Sequence, residues 1–455
     1  MNANPANRLR DLPSVDVLIG SDGGAALIRE YGRSAALASI RAALETVRDQ
    51  LRAGVDTAIA PADLLDAAAA DLHLQFRPSL RPVINATGII LHTNLGRSPL
   101  SESARDAIAA AAANYSTLEY DLDTGGRGSR LIHAEQGLIA VTGAESGMAV
   151  NNAASALVLI LSTFAQGREV IVSRGQLVEI GGGFRIPEVM TQSGAMLREV
   201  GTTNKTRISD YEHAITDHTT ILMRVHASNF KLIGFTETPT IEAIASLGAA
   251  RGLITVDDLG SGALLDTARY GLEHEPTVTE SLTAGVDLVV FSGDKLLGAP
   301  QAGVIVGKKA LIDRLKKHPL ARAIRADKLC LAGLSATLDH YRRGEATEKI
   351  PIWRMIAMPL HEIERIAQNW RDAAGIGTVI ASQSAVGGGS LPGETLPTAC
   401  WALDVPDATA FVAKLRASDP PIIARITDNR VLFDPRTVLP GQGEIVVERV
   451  RAFIS

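Results

Sequence analysis

The chain has 455 residues, 46% of them hydrophobic and 21% charged, with a formal net charge of −5. This length and balance suit a globular protein of two or three domains with a large core and exclude a disordered chain. The slight acidity argues against a protein that coats nucleic acid by charge alone. Cys330 and Cys400 stand far apart in apolar settings, so neither a disulfide framework nor a metal-ligand spacing is present, and no metal is expected. The first twenty residues lack a continuous apolar signal core, and no window approaches the roughly eighteen apolar residues of a membrane span. A cytoplasmic protein with no membrane partner is expected.

Residues 1–75 read as a small helical domain. AALIREYGRSAALASIRAALETVRDQLRAG keeps a helical period, and PADLLDAAAADLHLQF opens on a proline suited to a first helical turn. Pro78 and Pro82 in RPSLRPVINATG stop that period. Beyond them, β-branched runs such as EVIVSR, TTILMRVHAS, GLITVDD, VDLVVFSG and AGVIVG alternate with segments of helical length. This is the βαβ rhythm of an open, largely parallel sheet, so residues 76–335 are expected to form one large α/β domain. Residues 336–455 open with helices and close with short strands around ACWALDV, PIIARITDN and RVLFDP, which reads as a smaller α+β domain.

Four features of the α/β region point to pyridoxal phosphate. MAVNNAASALVLIL, from Met148, is a strand-to-helix turn of small residues whose backbone amides can bind a phosphate dianion, with Asn152, Ala153 and Ala154 at its centre. LITVDDLGSG ends a later strand with Asp257 or Asp258, either of which could pair with a pyridine nitrogen and keep it protonated. FSGDKLLGAP then places Lys295 at the edge of a buried strand, the setting a Schiff-base lysine needs because its amine must spend part of its time neutral. Ser292 supplies a hydroxyl beside it. A dinucleotide site fits less well, because DLGSG is not the full glycine fingerprint.

The longer motifs PVINATGIILHTNLGRSPLS, STLEYDLDTGGRG, EVIVSRGQLVEIGGGFRIPEVM, DLGSGALLD, FSGDKLLGAPQAGVIVGKK, HPLARAIRADKL and GGGSLPGETLP resemble those of bacterial selenocysteine synthase, the L-seryl-tRNA(Sec) selenium transferase family, from about residue 12 to the end. The resemblance implies an aspartate-aminotransferase-like, fold-type-I pyridoxal-phosphate enzyme whose helical N-terminal domain binds tRNA. It implies conversion of seryl-tRNA(Sec) to selenocysteinyl-tRNA(Sec) with selenophosphate, through an aminoacrylate intermediate, by a homodecamer built from dimers. Lys295 would carry the cofactor and remove the α-proton, Asp258 would face the pyridine nitrogen, and His226 and Ser228 in RVHASNF would lie near the cofactor.

The same resemblance gives Arg97, Arg322 and Arg325 to the selenophosphate anion, which suits the planar guanidinium fork. The last two are three apart and would share a face if their stretch is helical. Two departures stand out: Ala153 where the family has a third asparagine, and Gln176 where it has glutamate. Residues 1–82 hold nine arginines, no lysine and ten acidic residues, so any RNA contact there must rest on shape and hydrogen bonds rather than on net charge. Two other readings compete: a pyridoxal-phosphate lyase or transferase acting on a small amino acid or amino sugar, and an RNA-binding protein that has lost catalysis.

Overall fold

The computed structural model describes residues 9–55, 57–181 and 183–454. The chain divides into two compact units, Met1–Pro82 and Val83–Ser455. In the first, helices span Val15–Gly20, Asp22–Tyr31, Arg33–Arg52 and Pro61–Phe76. Ser14 and Ser21 cap the first two by accepting from the backbone N–H groups of Val17 and Gly24. Gly32, at φ 84°, breaks the chain between the second and third, in a conformation that costs a glycine little. Ala36, Ile40 and Leu44 recur every fourth residue on one long helix, and Leu64, Ala68 and Leu72 do so on the next. These two stripes form the buried seam of the unit.

The second unit is built on a seven-stranded sheet. Its order is Ser146–Val150, Gly303–Gly307, Leu288–Ser292, Ile254–Gly260, Thr219–Val225, Glu169–Ser173, Met196–Val200. Gly303–Gly307 runs antiparallel to both neighbours, and the other pairings are parallel. The Ser146–Val150, Leu288–Ser292 and Gly303–Gly307 strands are buried along their whole length, which explains their unbroken apolar runs: packed helices cover both faces. One face packs against Leu157, Ile160 and Phe164 of the helix Ala153–Phe164, and the other against Leu138, Leu331 and Leu334. The carboxyl ends of the parallel strands, at Val150, Val225, Gly260 and Ser292, all open on one edge, where ligands bind in open α/β sheets.

A five-stranded sheet follows, in the order Arg425–Thr427, Arg430–Phe433, Thr395–Asp404, Thr378–Gly387, Ile89–Leu91. Its last strand comes from the beginning of the unit. Ile89 and Leu91 pair in parallel with Ala385 and Gly387, and Ile84–Asn85 pairs with Ile422–Ile423. Trp401, Phe433, Phe411 and Val446 form the core beneath this sheet. Between its two longest strands, the GGGS turn leads back toward the edge of the large sheet, where Gly389 lies against the side chain of Lys295.

Candidate active site

Lys295 follows the strand Leu288–Ser292 and is only 5% exposed. Its Nζ and Cε lie so close to Gly389 that a Cβ there, at φ +96°, would come within 2.6 Å of Cε. Burial holds the Lys295 amine below its ordinary value of 10.5, the nearby Asp258 carboxylate works against that shift, and Arg97 adds to it. The result is an amine with a larger neutral fraction at physiological pH than a surface lysine has.

Asp257 and Asp258 are neighbours on the strand Ile254–Gly260, so their side chains leave on opposite faces. Asp257 is fully buried and fully engaged: Arg224 donates from Nε to Oδ1 at 2.7 Å and from Nη2 to Oδ2 at 2.6 Å, and Ser281 Oγ donates to Oδ2 at 2.6 Å. Among the described residues Asp258 makes no such ion pair, and it lines a cavity of about 220 Å³. Burial raises its carboxyl to about 7, against the pull of Lys295 and with a further push from Asp257. A buried carboxyl kept from its usual ionisation is poised for a cationic partner.

Asn152 caps the helix Ala153–Phe164 by accepting from Ser155 N–H at 2.8 Å. Ala153 and Ala154 therefore present first-turn amides at the positive end of a twelve-residue helix, where an anion is favoured. The backbone at Gly303 runs so close to the Asn152 carbonyl that no Cβ would fit, which keeps this turn pressed against the sheet edge. Ala153, the first of the two departures, lines the cavity. Gln176, the second departure, is buried and accepts from Val225 N–H at 3.0 Å. A carboxamide oxygen can make that bond as a carboxylate would.

The structure brings Arg97, Asn152, Ala153, Ala154 and His226 to this one cavity, and Ser228, Asp258, Ser292 and Lys295 complete it. Arg97, at φ 63°, donates to Asp294 Oδ2 at 2.7 Å. Burial lowers the pKa of His226, which favours its neutral form, and Glu275 opposes that shift. Such a cavity offers amides for an anion at one end, a buried carboxyl for a ring nitrogen, and a desolvated amine for a carbonyl carbon, a set that fits pyridoxal phosphate.

Arg322 and Arg325 do not reach it. They line a second cavity with Arg127, Arg130, Lys316 and Lys317. The shared helix face expected for them is absent, because the helix Pro319–Ala323 ends before Arg325, whose backbone instead bridges to Val150. Both side chains are exposed and, among the described residues, neither has a carboxylate partner, whereas Arg127 and Arg130 are taken by Glu119 and Lys316 by Glu135. Burial pushes the thiols of Cys330 and Cys400 up to about 12, so both are inert at neutral pH.

Asp294, Gly389 and Glu275 are residues of the cavity region that escaped the reading of the sequence. Asp294 was adjacent to a named lysine, and its position in SGDK was the available signal. Gly389 lay inside a quoted motif, but only the fold shows that it touches Lys295. Glu275 lies in a loop with no periodicity to mark it.

Comparison with known proteins identifies the family. Residues 83–439 match the family described as L-seryl-tRNA selenium transferase, and residues 9–48 match selenocysteine synthase N terminal. The L-seryl-tRNA(Sec) selenium transferase of Hyphomonas neptunium is 46% identical over 456 residues, covering 98% of each chain. That of Moorella thermoacetica is 46% identical over 461 residues, covering 99% of this chain and 97% of its own. Among solved structures, a D-glucosaminate-6-phosphate ammonia-lyase superposes with a TM-score of 0.58 at 22% identity, over 84% of this chain and 97% of its own, which shows a shared fold. With both of its units matched and its relatives aligned almost end to end, the chain belongs to the L-seryl-tRNA selenium transferase family.

Proposed function

We propose that this protein converts L-seryl-tRNA(Sec) to L-selenocysteinyl-tRNA(Sec), with pyridoxal phosphate as cofactor and selenophosphate as selenium donor. The observation that carries the reading is the near end-to-end identity to selenium transferases, including the separate match of the N-terminal unit. That unit favours a tRNA substrate over a free amino acid.

Within this reading the amides of Ala153 and Ala154 hold the cofactor phosphate, and Asp258 pairs with the pyridine nitrogen. Bound pyridoxal phosphate supplies an electron sink for negative charge developing at the seryl α-carbon. Lys295 would anchor the cofactor, and its Nζ would take the seryl α-proton, a role its depressed pKa suits. The β-hydroxyl leaves as water, selenium from selenophosphate takes its place on the β-carbon, and a water breaks the P–Se bond to release phosphate, so that no net water is formed. Arg97 would meet the selenophosphate anion at the Lys295 cavity, whereas Arg322 and Arg325 would meet it at their separate cavity, a role that suits their lack of carboxylate partners among the described residues.

The reading includes a homo-oligomer, a decamer built from dimers, as the family resemblance implies. Exposed Tyr115, Leu122, Ile233 and Phe235 are apolar surface that burial against another copy would cover. Among the described residues no helix is long and apolar enough to cross a membrane, and a cytoplasmic location suits the two unpaired thiols. The test is turnover of seryl-tRNA(Sec) with selenophosphate beside seryl-tRNA(Ser) and free serine. Selenocysteine formed only from the first supports the proposal. Reaction of free serine alone would replace it with a small-molecule lyase or transferase.

A further inference from the structure

His226 stands at the end of the strand Thr219–Val225 and lines the cavity that holds Lys295 and Asp258. Its Nδ1 is buried and has no hydrogen-bond partner among the described residues. The nearest acidic atom is Oε1 of Glu275, 3.7 Å away, and this oxygen is also buried and unpartnered. Glu275 is 2% exposed and lies in the loop before the helix Val278–Thr283, pinned by donation from its backbone N–H to Thr267 Oγ1 at 2.9 Å. Two complementary buried atoms that each lack a partner are rare in a folded protein and call for a functional account. At 3.7 Å they are just too far apart for a hydrogen bond, and a shift of under about 1 Å would make one.

We infer that Glu275 is a positioning residue that accepts a hydrogen bond from His226 Nδ1–H when the cavity is filled. That bond fixes the tautomer of a neutral imidazole and leaves Nε2 with its lone pair free toward the cavity. His226 then accepts a hydrogen bond from a hydroxyl or ammonium group held beside Lys295. Of the other charged groups near the ring, Arg224 and Lys295 carry donors, the carboxylate of Asp257 is occupied by Arg224 and Ser281, and Asp258, which lines the same cavity, makes no hydrogen bond to Nδ1. The inference rests on the reading of this cavity as the cofactor site, and it concerns residues to which that reading gives no such role.

The experiment is a double-mutant cycle read by the affinity of the cofactor-free protein for pyridoxal phosphate, followed through its visible absorption. Glu275→Met keeps the volume and removes the acceptor, Glu275→Gln keeps an acceptor oxygen, and His226→Phe removes the ring nitrogens. Glu275→Met should weaken cofactor binding about tenfold when His226 is present and less than about twofold beside His226→Phe, while Glu275→Gln stays within about threefold of the original protein. Equal losses with and without His226, or an equal loss in Glu275→Gln, would make Glu275 a structural residue and overturn the inference. Should Glu275→Met fail to fold, a tenfold loss in Glu275→Gln alone would overturn it as well. If the unmodified protein develops no visible band with the cofactor, it is the cavity reading that fails.

Discussion

The cavity around Lys295 and the cavity around Arg322 and Arg325 both collect charged side chains, but they hold them in opposite ways. In the first, charge is buried: Lys295 and Asp258 are nearly inaccessible, and each is pushed away from its ordinary ionisation. In the second, the two arginines are exposed and, among the described residues, have no carboxylate partner. Burial tunes a group for bond-making chemistry, because withdrawing water changes the balance between its protonated and unprotonated forms. Exposure leaves a permanent cation ready for a diffusing anion, and its energy is modest and sensitive to salt. The difference predicts which substitutions remove the reaction and which only weaken a substrate.

The largest effect belongs to Lys295→Ala. Turnover should fall by about a thousandfold or more, and the cofactor's visible band should vanish while the far-ultraviolet circular dichroism stays unchanged. A retained band would move the cofactor lysine elsewhere. The adjacent aspartates sharpen the contrast between tuned and structural charge. Asp258→Asn should cost about a hundredfold in turnover and shift the visible band, because the ring nitrogen loses its carboxylate. Asp257→Asn should leave the band in place and destabilise the fold by about 3 kcal/mol in chemical denaturation, because it strands the Arg224 guanidinium. An exchange of these phenotypes would reverse the assignment.

In the exposed cavity, Arg322→Ala combined with Arg325→Ala should raise the selenophosphate KM about tenfold. Thermal stability should stay within about 0.5 kcal/mol of the original, as for other exposed and unpaired residues. Added salt should weaken selenophosphate use in the original protein more than in the double variant. Equal loss of seryl-tRNA binding would place the pair on the RNA path instead.

The smallest effect is a slope with pH. In the cofactor-free protein Asp258 titrates near 7 rather than at 3.8, so the folded state keeps a proton that the unfolded state has released. Stability should therefore fall as pH rises through that window, because the folded form binds more protons there. Lys295, whose folded value is depressed, acts in the opposite sense as pH rises toward 10.5. Denaturant midpoints at pH 5 and pH 7 should differ less in Asp258→Asn than in the original. Identical slopes would take Asp258 out of the account.

Much of the Lys295 cavity could be read from the chain because its groups sit at strand ends, and strand ends are marked locally by apolar runs that stop at small or charged residues. The residues alone leave Asp257 and Asp258 open, and only the family resemblance singles out Asp258, because nothing local says which way the cavity lies. Arg224 and Ser281 decide that, and both are distant in sequence. The shared helix face of Arg322 and Arg325 failed because spacing is informative only while the helix lasts, and it ends at Ala323. The pairing of Ile89 with Ala385 and the contact of Gly389 with Lys295 join segments hundreds of residues apart or on separate sheets, for which no local pattern exists. Glu275 was hidden for the same reason, as a loop carboxyl whose significance comes only from the histidine it faces.

The most direct test of the central claim, that the buried amine at the edge of the large sheet is the cofactor lysine, is to reduce the cofactor-loaded protein with borohydride and identify the modified peptide by mass. The account predicts a single pyridoxyl-phosphate adduct on Lys295, formed in full and absent from Lys295→Ala. An adduct on any other lysine, or none, would contradict it.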